Sequence, residues 1–390
     1  MVHPLQLNSV RTEDYHTAGE PFRIVTIDDA AGSGMTVAQR RVLAQSGADG
    51  LDRLRQFLCN EPRGHADMYG GFVVPPDDDG ADFGVLFWHK DGFSTACGHG
   101  TIALGVWAVE TGRITATDNK IVPVTIDVPS GRVVALVEHE AGLIQRVTFR
   151  NVASHVIARD VPITVLGRSI RADLSFSGAI YASVPAKAFG LAVTPEHYTD
   201  LIAAGRAVKW ALNDSPLAQH STDPRLSGVY GTILYDELGR MPRGPHQRNV
   251  TVFADGEVDR SPCGSGTGAR VALLAADGTL QPGEELTHDS IIGTRFTARF
   301  TAAAPSTPEN TATSAAPGTP TSPPGLGVGG PSGLGTDGPS GLGTDGPSGL
   351  GTDGPSGAII PEVTGLAHAT GTHVFRLDPH DELDTGFVLR

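Results

Sequence analysis

The chain is 390 residues long and 39% apolar, a length and content that suit two domains of ordinary size, each burying its own core. A formal net charge of −14, with no cluster of Lys and Arg, excludes nucleic acid as a partner. No apolar run nears the ~20 residues that span a bilayer, no signal-peptide pattern opens the sequence, and three cysteines are too few for a disulfide framework, so the expected setting is a reducing cytoplasm with no membrane partner.

In chain order, residues 22–27 predict a strand, 37–57 a helix and 85–88 a strand. Cys97-Gly98-His99-Gly100-Thr101 then leads into a helix predicted over 100–111. Strands are predicted over 120–126, 132–137, 145–149 and 249–253, with a helix over 195–208 before the last of these. At residue 263, 166 positions after the first copy, the pattern Cys-Gly-x-Gly-Thr returns as Cys263-Gly264-Ser265-Gly266-Thr267, ahead of a helix over 267–276. Both motif-bearing helices are apolar on most faces, which predicts that strands enclose each of them. The repeat itself predicts two related halves, each presenting one thiol at a helix start.

Residues 290–300 read as a strand, and ordered sequence resumes over 358–363. Between them, residues 301–357 are mostly Ala, Pro, Ser, Thr and Gly, with the unit Gly-Pro-Ser-Gly-Leu-Gly-Thr-Asp starting at Gly330, Gly338 and Gly346. Glycine does not fall at every third position, which excludes a collagen helix. With almost no bulky apolar side chains the stretch cannot offset its ordering entropy and is read as disordered, a tolerated expansion of a loop between two neighbouring strands rather than a binding segment.

The paired motif carries the chemistry. First-turn amides of a helix lack internal partners and sit at the positive end of its dipole, which favours a thiolate there and predicts a lowered pKa for Cys97 and Cys263. The glycines permit close backbone approach, so the N–H groups of Gly98, His99, Gly264 and Ser265 are candidates to hold a substrate carboxylate. Two such helix starts facing one ligand place a sulfur on each side of its α-carbon, with fixed amides to stabilise the enediolate formed on proton removal. One sulfur must then be thiolate and the other thiol, and the pair titrates as a unit.

Plainer readings stand beside this one. A single cysteine at a helix start is often just a small buried residue; it is the matched pair that points to catalysis. Cys97 and His99 are close in sequence, yet the standard zinc spacings are absent, and neither cysteine lies in a redox Cys-x-x-Cys. Cys59, in Phe57-Leu58-Cys59, reads as a structural residue. Asp259 is either a partner for a substrate amine or a turn-stabilising carboxylate, and His99 either a donor or a packing residue. The sequence has no glycine-rich dinucleotide fingerprint and no lysine context for pyridoxal phosphate, so neither cofactor nor metal is expected.

His16-Thr17-Ala18-Gly19-Glu20-Pro21, Glu61-Pro62-Arg63-Gly64-His65-Ala66-Asp67-Met68-Tyr69-Gly70, the Cys97 motif, Asp259-Arg260-Ser261-Pro262 running into the Cys263 motif, and Ile360-Pro361-Glu362-Val363-Thr364-Gly365 follow one another in this order. Together they resemble the proline racemase family, which includes hydroxyproline 2-epimerases and trans-3-hydroxy-L-proline dehydratases. The resemblance covers nearly everything but the low-complexity insert. It implies an α/β (α+β) fold of the diaminopimelate-epimerase-like kind, with two pseudo-symmetric halves, each a curled β-sheet around a central helix. Residues 12–127 with 365–390 would form the half carrying Cys97, and residues 128–300 with 358–364 the half carrying Cys263. It further implies Cys97 and Cys263 as the acid/base pair, His99 and Asp259 at the substrate amine, amides of Gly98, His99, Gly264 and Ser265 at the carboxylate, a small imino acid as substrate, and a homodimer. Dehydratase members typically carry threonine at the second cysteine, so Cys263 points to racemisation or epimerisation of proline or 4-hydroxyproline. Residues 63–70, the residues before Cys97 and the Gly-Ser-Gly after Cys263 resemble the dehydratase branch, which keeps β-elimination of water from trans-3-hydroxy-L-proline as the second reading. A non-catalytic imino-acid-binding protein is the reading of another class.

Overall fold

The computed structural model describes residues 9–27, 32–116, 120–303 and 357–389. Five α-helices occur among them: α1 (Val37–Gln45), α2 (Leu51–Cys59), α3 (Gly98–Glu110), α4 (Tyr198–Leu212) and α5 (Gly264–Ala276). Eighteen strands join into one hydrogen-bonded network. Alternation makes these strands two-faced: in Gly131–Glu140, Val133, Ala135 and Val137 turn inward while the residues between them are partly open.

The two motif-bearing helices are enclosed, as their apolar faces predict. Every residue of α3 from Gly98 to Ala108 and of α5 from Gly264 to Leu274 is buried. Around α3, Ile102, Leu104 and Val106 share a core with Val124, Ile126, Val137, Val147 and Phe149 from the surrounding strands. A second core gathers Leu201, Ala204 and Val208 of α4 with Leu174, Ala182, Val184, Val250 and Val252. Among the described residues no helix is long and apolar enough to cross a membrane.

Strand pairing draws distant segments to the site. Ser9–Thr17 lies antiparallel between Glu20–Thr26 and the C-terminal strand Ala367–Arg376. Leu143–Arg150 pairs with Ile359–Gly365, which in turn pairs with Arg295–Ala302. That last pairing reaches Ala302 opposite Ile359, so the chain on either side of the insert forms two neighbouring antiparallel strands, the arrangement expected for an expanded loop. Residues 304–356, with the disorder expected of them, lie outside the described residues.

Two predicted elements are divided. The helix expected over 37–57 is two helices, because Gly47 and Gly50 adopt φ of 71° and 78° and turn the chain between α1 and α2. The strand expected over 290–300 is a hairpin of Leu286–Ser290 and Arg295–Ala302. Ile291 and Ile292 continue the apolar run and mask the turn, which Gly293 makes at φ 83° while Ser290 and Thr294 exchange hydrogen bonds across it. The motif helices also start earlier than expected, at Gly98 and Gly264, which makes each cysteine the N-cap.

Candidate active site

Cys97 and Cys263 cap their helices with sulfur. Cys97 Sγ accepts the N–H of Gly100 at 3.2 Å, and Cys263 Sγ accepts that of Gly266 at 3.3 Å, the bond an N-cap side chain makes to the third helical amide. The second glycine of each motif is required by this contact: a Cβ on Gly100 would lie 2.8 Å from Cys97 Sγ, and one on Gly266 2.9 Å from Cys263 Sγ. The first glycine serves the meeting of the helices, since a Cβ on Gly98 would lie 2.6 Å from Gly264 Cα. The motif glycines therefore bring helix tip to helix tip and amide to sulfur.

The two caps differ in backbone. Cys97 is extended at φ −155°, ψ 103°, whereas Cys263 stands at φ 62°, ψ 110°, a conformation that side-chain-bearing residues rarely adopt. Its surroundings hold it there. Ser261 Oγ accepts the Cys263 N–H at 3.1 Å, the Thr267 N–H donates to Cys263 O at 2.7 Å, and Asn249 and Thr267 side chains both donate to Pro262 O at 3.0 Å.

Both sulfurs line one cavity with His99, Asp259 and Ser265, walled by Tyr69, Tyr181, Tyr230 and Phe253. Its volume is ≈ 10 Å³, about what one water needs. The cysteines are 6% and 7% exposed, so the sulfurs are largely withdrawn from solvent in this conformation. The side chain of His99 sits beside Cys97, its ring nitrogens 3.5 and 3.6 Å from Sγ, with Nδ1 3.6 Å from Asp259 Oδ2. Its ring also packs edge-on against Phe22 and Tyr69, so it both packs and faces the polar groups. Asp259 stabilises its turn, Oδ1 accepting from the Ser261 N–H (2.8 Å) and hydroxyl (2.7 Å), while Oδ2 faces His99. Ser265 Oγ lies on this cavity, buried with no hydrogen-bond partner. All seven residues named from the sequence thus meet at one place.

The thiol pKa values run against the expectation from helix position. Burial pushes both well above the ordinary cysteine value; the Gly100 and Gly266 N–H groups oppose this, while the negative charge of Asp259 adds to it at each. Desolvation outweighs the helix terminus because the sulfurs are shut away from water beside a carboxylate. Asp259 itself is held below the ordinary carboxylate range: burial opposes its charge, but His99 and Ser261 overcome that. Burial keeps the three tyrosine hydroxyls protonated.

Other residues at the site carried no role in the sequence reading. Glu20 is fully buried and takes the Arg260 backbone N–H (2.8 Å) and Nε (2.9 Å) on Oε2, while Arg260 Nη1 reaches Asp67 Oδ2 at 3.2 Å. This clamp fixes the chain just after Asp259. Thr17 Oγ1 donates to His99 O at 2.9 Å and fixes the other tip. Glu20, Asp67 and Tyr69 all lie in motifs whose residues were visible; Tyr181, Tyr230 and Phe253 stand on ordinary strand sequence with no local signal. Cys59 is buried in a separate apolar cluster, and all three cysteines are free. Among the described residues no group of three or more His, Cys, Asp or Glu side chains is placed to hold a metal ion.

Residues 13–388 match the family described as proline racemase. The chain is 36% identical over 380 residues to a trans-3-hydroxy-L-proline dehydratase of Bacillus thuringiensis subsp. konkukian, covering 97% of each chain. It is 37% identical over 388 residues to a 3-hydroxyproline 2-epimerase of Burkholderia multivorans, covering 98% of each. Among solved structures, a hydroxyproline epimerase from Agrobacterium vitis with bound trans-4-hydroxy-L-proline superposes with a TM-score of 0.77 at 26% identity, over 98% of this chain and 96% of that one. The sheet-dominated α/β architecture that the sequence motifs implied is therefore shared with a solved relative.

Proposed function

The chain belongs to the proline racemase family, enzymes whose names cover both isomerases and hydro-lyases, and on that premise we propose that it inverts the α-carbon of proline or a hydroxyproline with two thiols and no cofactor. One observation carries this reading: Cys97 and Cys263 cap two helices that meet tip to tip, and both sulfurs line the same cavity.

In this reading the substrate carboxylate takes the first-turn amides of Gly98, His99, Gly264 and Ser265, with the unpartnered Ser265 hydroxyl as a further donor. The substrate's ammonium faces Asp259 and His99. That positive charge, brought into a site whose thiols are raised by burial and by Asp259, favours ionisation of one of them. The thiolate then takes the α-proton: the Cα–H bond breaks, an S–H bond forms, and the electron pair passes into an enediolate held by the helix-tip amides. The opposite thiol gives its proton to the other face, so its S–H bond breaks as a new Cα–H bond forms, and the two cysteines have exchanged protonation states. Which sulfur starts as thiolate follows the hand of the substrate. The paired motifs likewise support the division into a half of residues 12–127 with 365–390 and a half of residues 128–300 with 358–364.

A second reading is favoured by the dehydratase relatives at 36% identity. There, one thiolate removes the α-proton of trans-3-hydroxy-L-proline, the thiol so formed returns that proton to the 3-hydroxyl as the C3–O bond breaks and water leaves, and the resulting enamine tautomerises to a cyclic imine. Incubating the chain separately with L-proline, trans-4-hydroxy-L-proline and trans-3-hydroxy-L-proline distinguishes the two. Epimerisation gives the opposite configuration at Cα without loss of mass; dehydration as the sole outcome, read as loss of water from the 3-hydroxy substrate alone, contradicts the primary reading.

A further inference from the structure

A wider cavity of ≈ 410 Å³ lies beside the inner one, within the range of small-molecule sites. Tyr230 lines both. Ser94 lines the outer cavity and Tyr69 the inner, and the Tyr69 hydroxyl is hydrogen-bonded to Ser94 Oγ and to Tyr230 Oη at 2.9 Å. Three linked hydroxyls therefore join the wall of the outer basin to that of the inner cavity.

The basin carries two cations with no directly contacting carboxylate, though Asp255, Glu257 and Asp91 act on Lys209, and Asp223 on Arg41, from longer range. Lys209 of α4 is 8% exposed, its ammonium 4.0 Å above the Trp210 ring. Arg41 of α1 donates Nε to Phe93 O at 2.9 Å and Nη1 to Arg225 O at 3.4 Å, both carbonyls. Among the described residues neither cation has a carboxylate oxygen within 4.0 Å. The other charges on the basin wall are matched: Arg225 with Asp223 at 2.6 Å, Asp255 with Arg206 at 2.6 Å, and Asp91 with Lys90 at 3.1 Å. Two cations without a direct carboxylate contact line one cavity in a chain of net charge −14, and a buried cation gains from an anion brought into contact with it. Burial lowers the Lys209 pKa, and a bound carboxylate would restore it.

We propose that the basin is an outer binding station, where Lys209 and Arg41 hold the carboxylate of a free imino acid before it crosses the Tyr69–Ser94–Tyr230 layer to the helix tips. The identity of the ligand rests on the function proposed above. The narrow inner cavity has room for about one water, so substrate has to arrive from outside, and the basin is a cavity that shares a wall residue, Tyr230, with it. The two anion sites act in series: side-chain cations outside, helix amides inside.

The test is steady-state α-hydrogen exchange by the full chain with L-proline and trans-3-hydroxy-L-proline, comparing wild type with Lys209→Met, Lys209→Arg and Arg41→Met across a salt series. The expected result is a fall of about tenfold or more in kcat/KM for both Met variants, with kcat at saturation largely kept, a flatter salt dependence, and recovery in Lys209→Arg. Wild-type turnover with kcat/KM and salt dependence unchanged in the Met variants would overturn the outer station alone. Should Lys209→Met fail to fold, Arg41→Met, at a half-exposed position, decides the matter by the same criterion. Absence of exchange by the wild-type chain with every imino acid would instead overturn the catalytic reading, and with it the ligand assigned to the basin, before any variant is compared.

Discussion

Gly98 and Gly264 meet backbone to backbone: a Cβ built on either would stand 2.6 Å from the Cα of the other. Two helix starts that are far apart in sequence are thereby held closer than any side chain would allow. This contact sets the separation of the cysteines that immediately precede these glycines, and it accounts for the first glycine of each motif on steric grounds alone.

Replacing Gly98 with Ala should therefore spread the tips. The methyl meets backbone atoms of Gly264 and Ser265 at 2.6–2.7 Å, which no rotamer change relieves. The expected result is a loss of about 1–3 kcal/mol in unfolding free energy, with a larger relative loss of α-hydrogen exchange in the folded fraction. Denaturant unfolding and exchange assays check it; a variant with unchanged stability and turnover would contradict the contact.

Serine at either cysteine removes a proton carrier of suitable acidity while keeping a hydroxyl cap. Cys97→Ser and Cys263→Ser should each lower epimerisation by about 10²–10⁴-fold, because inversion requires both faces. In contrast, Cys59→Ser should leave kcat unaltered and affect stability only, since Cys59 belongs to a separate core. Progress curves by polarimetry or chiral chromatography read the difference.

The thiols should ionise only in alkaline solution in the free protein. Burial raises both above the ordinary value of about 8.5, so thiolate absorbance in the ultraviolet, corrected with the double Cys97→Ser/Cys263→Ser variant, should appear above that pH. Asp259 adds to the rise at both sulfurs, so Asp259→Asn should move the transition to lower pH. A transition that stays in place or moves upward would remove Asp259 as a source of the shift.

Deleting residues 304–356 and joining the flanks through a short glycine-containing turn should preserve fold and turnover. Arg295–Ala302 and Ile359–Gly365 already pair as neighbours, with the Ala303 N–H on Ala358 O at 3.2 Å. Shortening the connection lowers its closure entropy by only about 0.6 kcal/mol per halving, so the melting temperature should hold or rise slightly. Loss of activity in a folded deletion variant would give the insert a part in the reaction.

What the sequence made legible is what depends on local pattern. The Cys-Gly-x-Gly-Thr repeat located both helix tips, and the apolar faces of α3 and α5 predicted their enclosure. The aromatic wall was not legible, because it is assembled by pairings between distant strands. Tyr181 and Tyr230 face the site through the parallel register of Ile180–Pro185 with Val229–Met241, while Tyr69 comes from a strand beside Glu20–Thr26. The thiol acidity was misjudged for a related reason. A helix start favours a thiolate, but the degree of burial that reverses this preference is a property of the whole fold. The clamp of Arg260 on Glu20 and Asp67 joins motifs that are each recognisable, yet nothing in the sequence indicates that they touch.

The most direct test of two thiols working on opposite faces is the reaction of L-proline or a hydroxyproline in D₂O, followed at low conversion by NMR with separation of the epimers. The product should carry deuterium at Cα from its first appearance while recovered substrate stays protiated, because the proton leaves to one sulfur and the deuteron arrives from the other. Deuterium entering recovered substrate as fast as product would show a single group serving both faces and contradict the account.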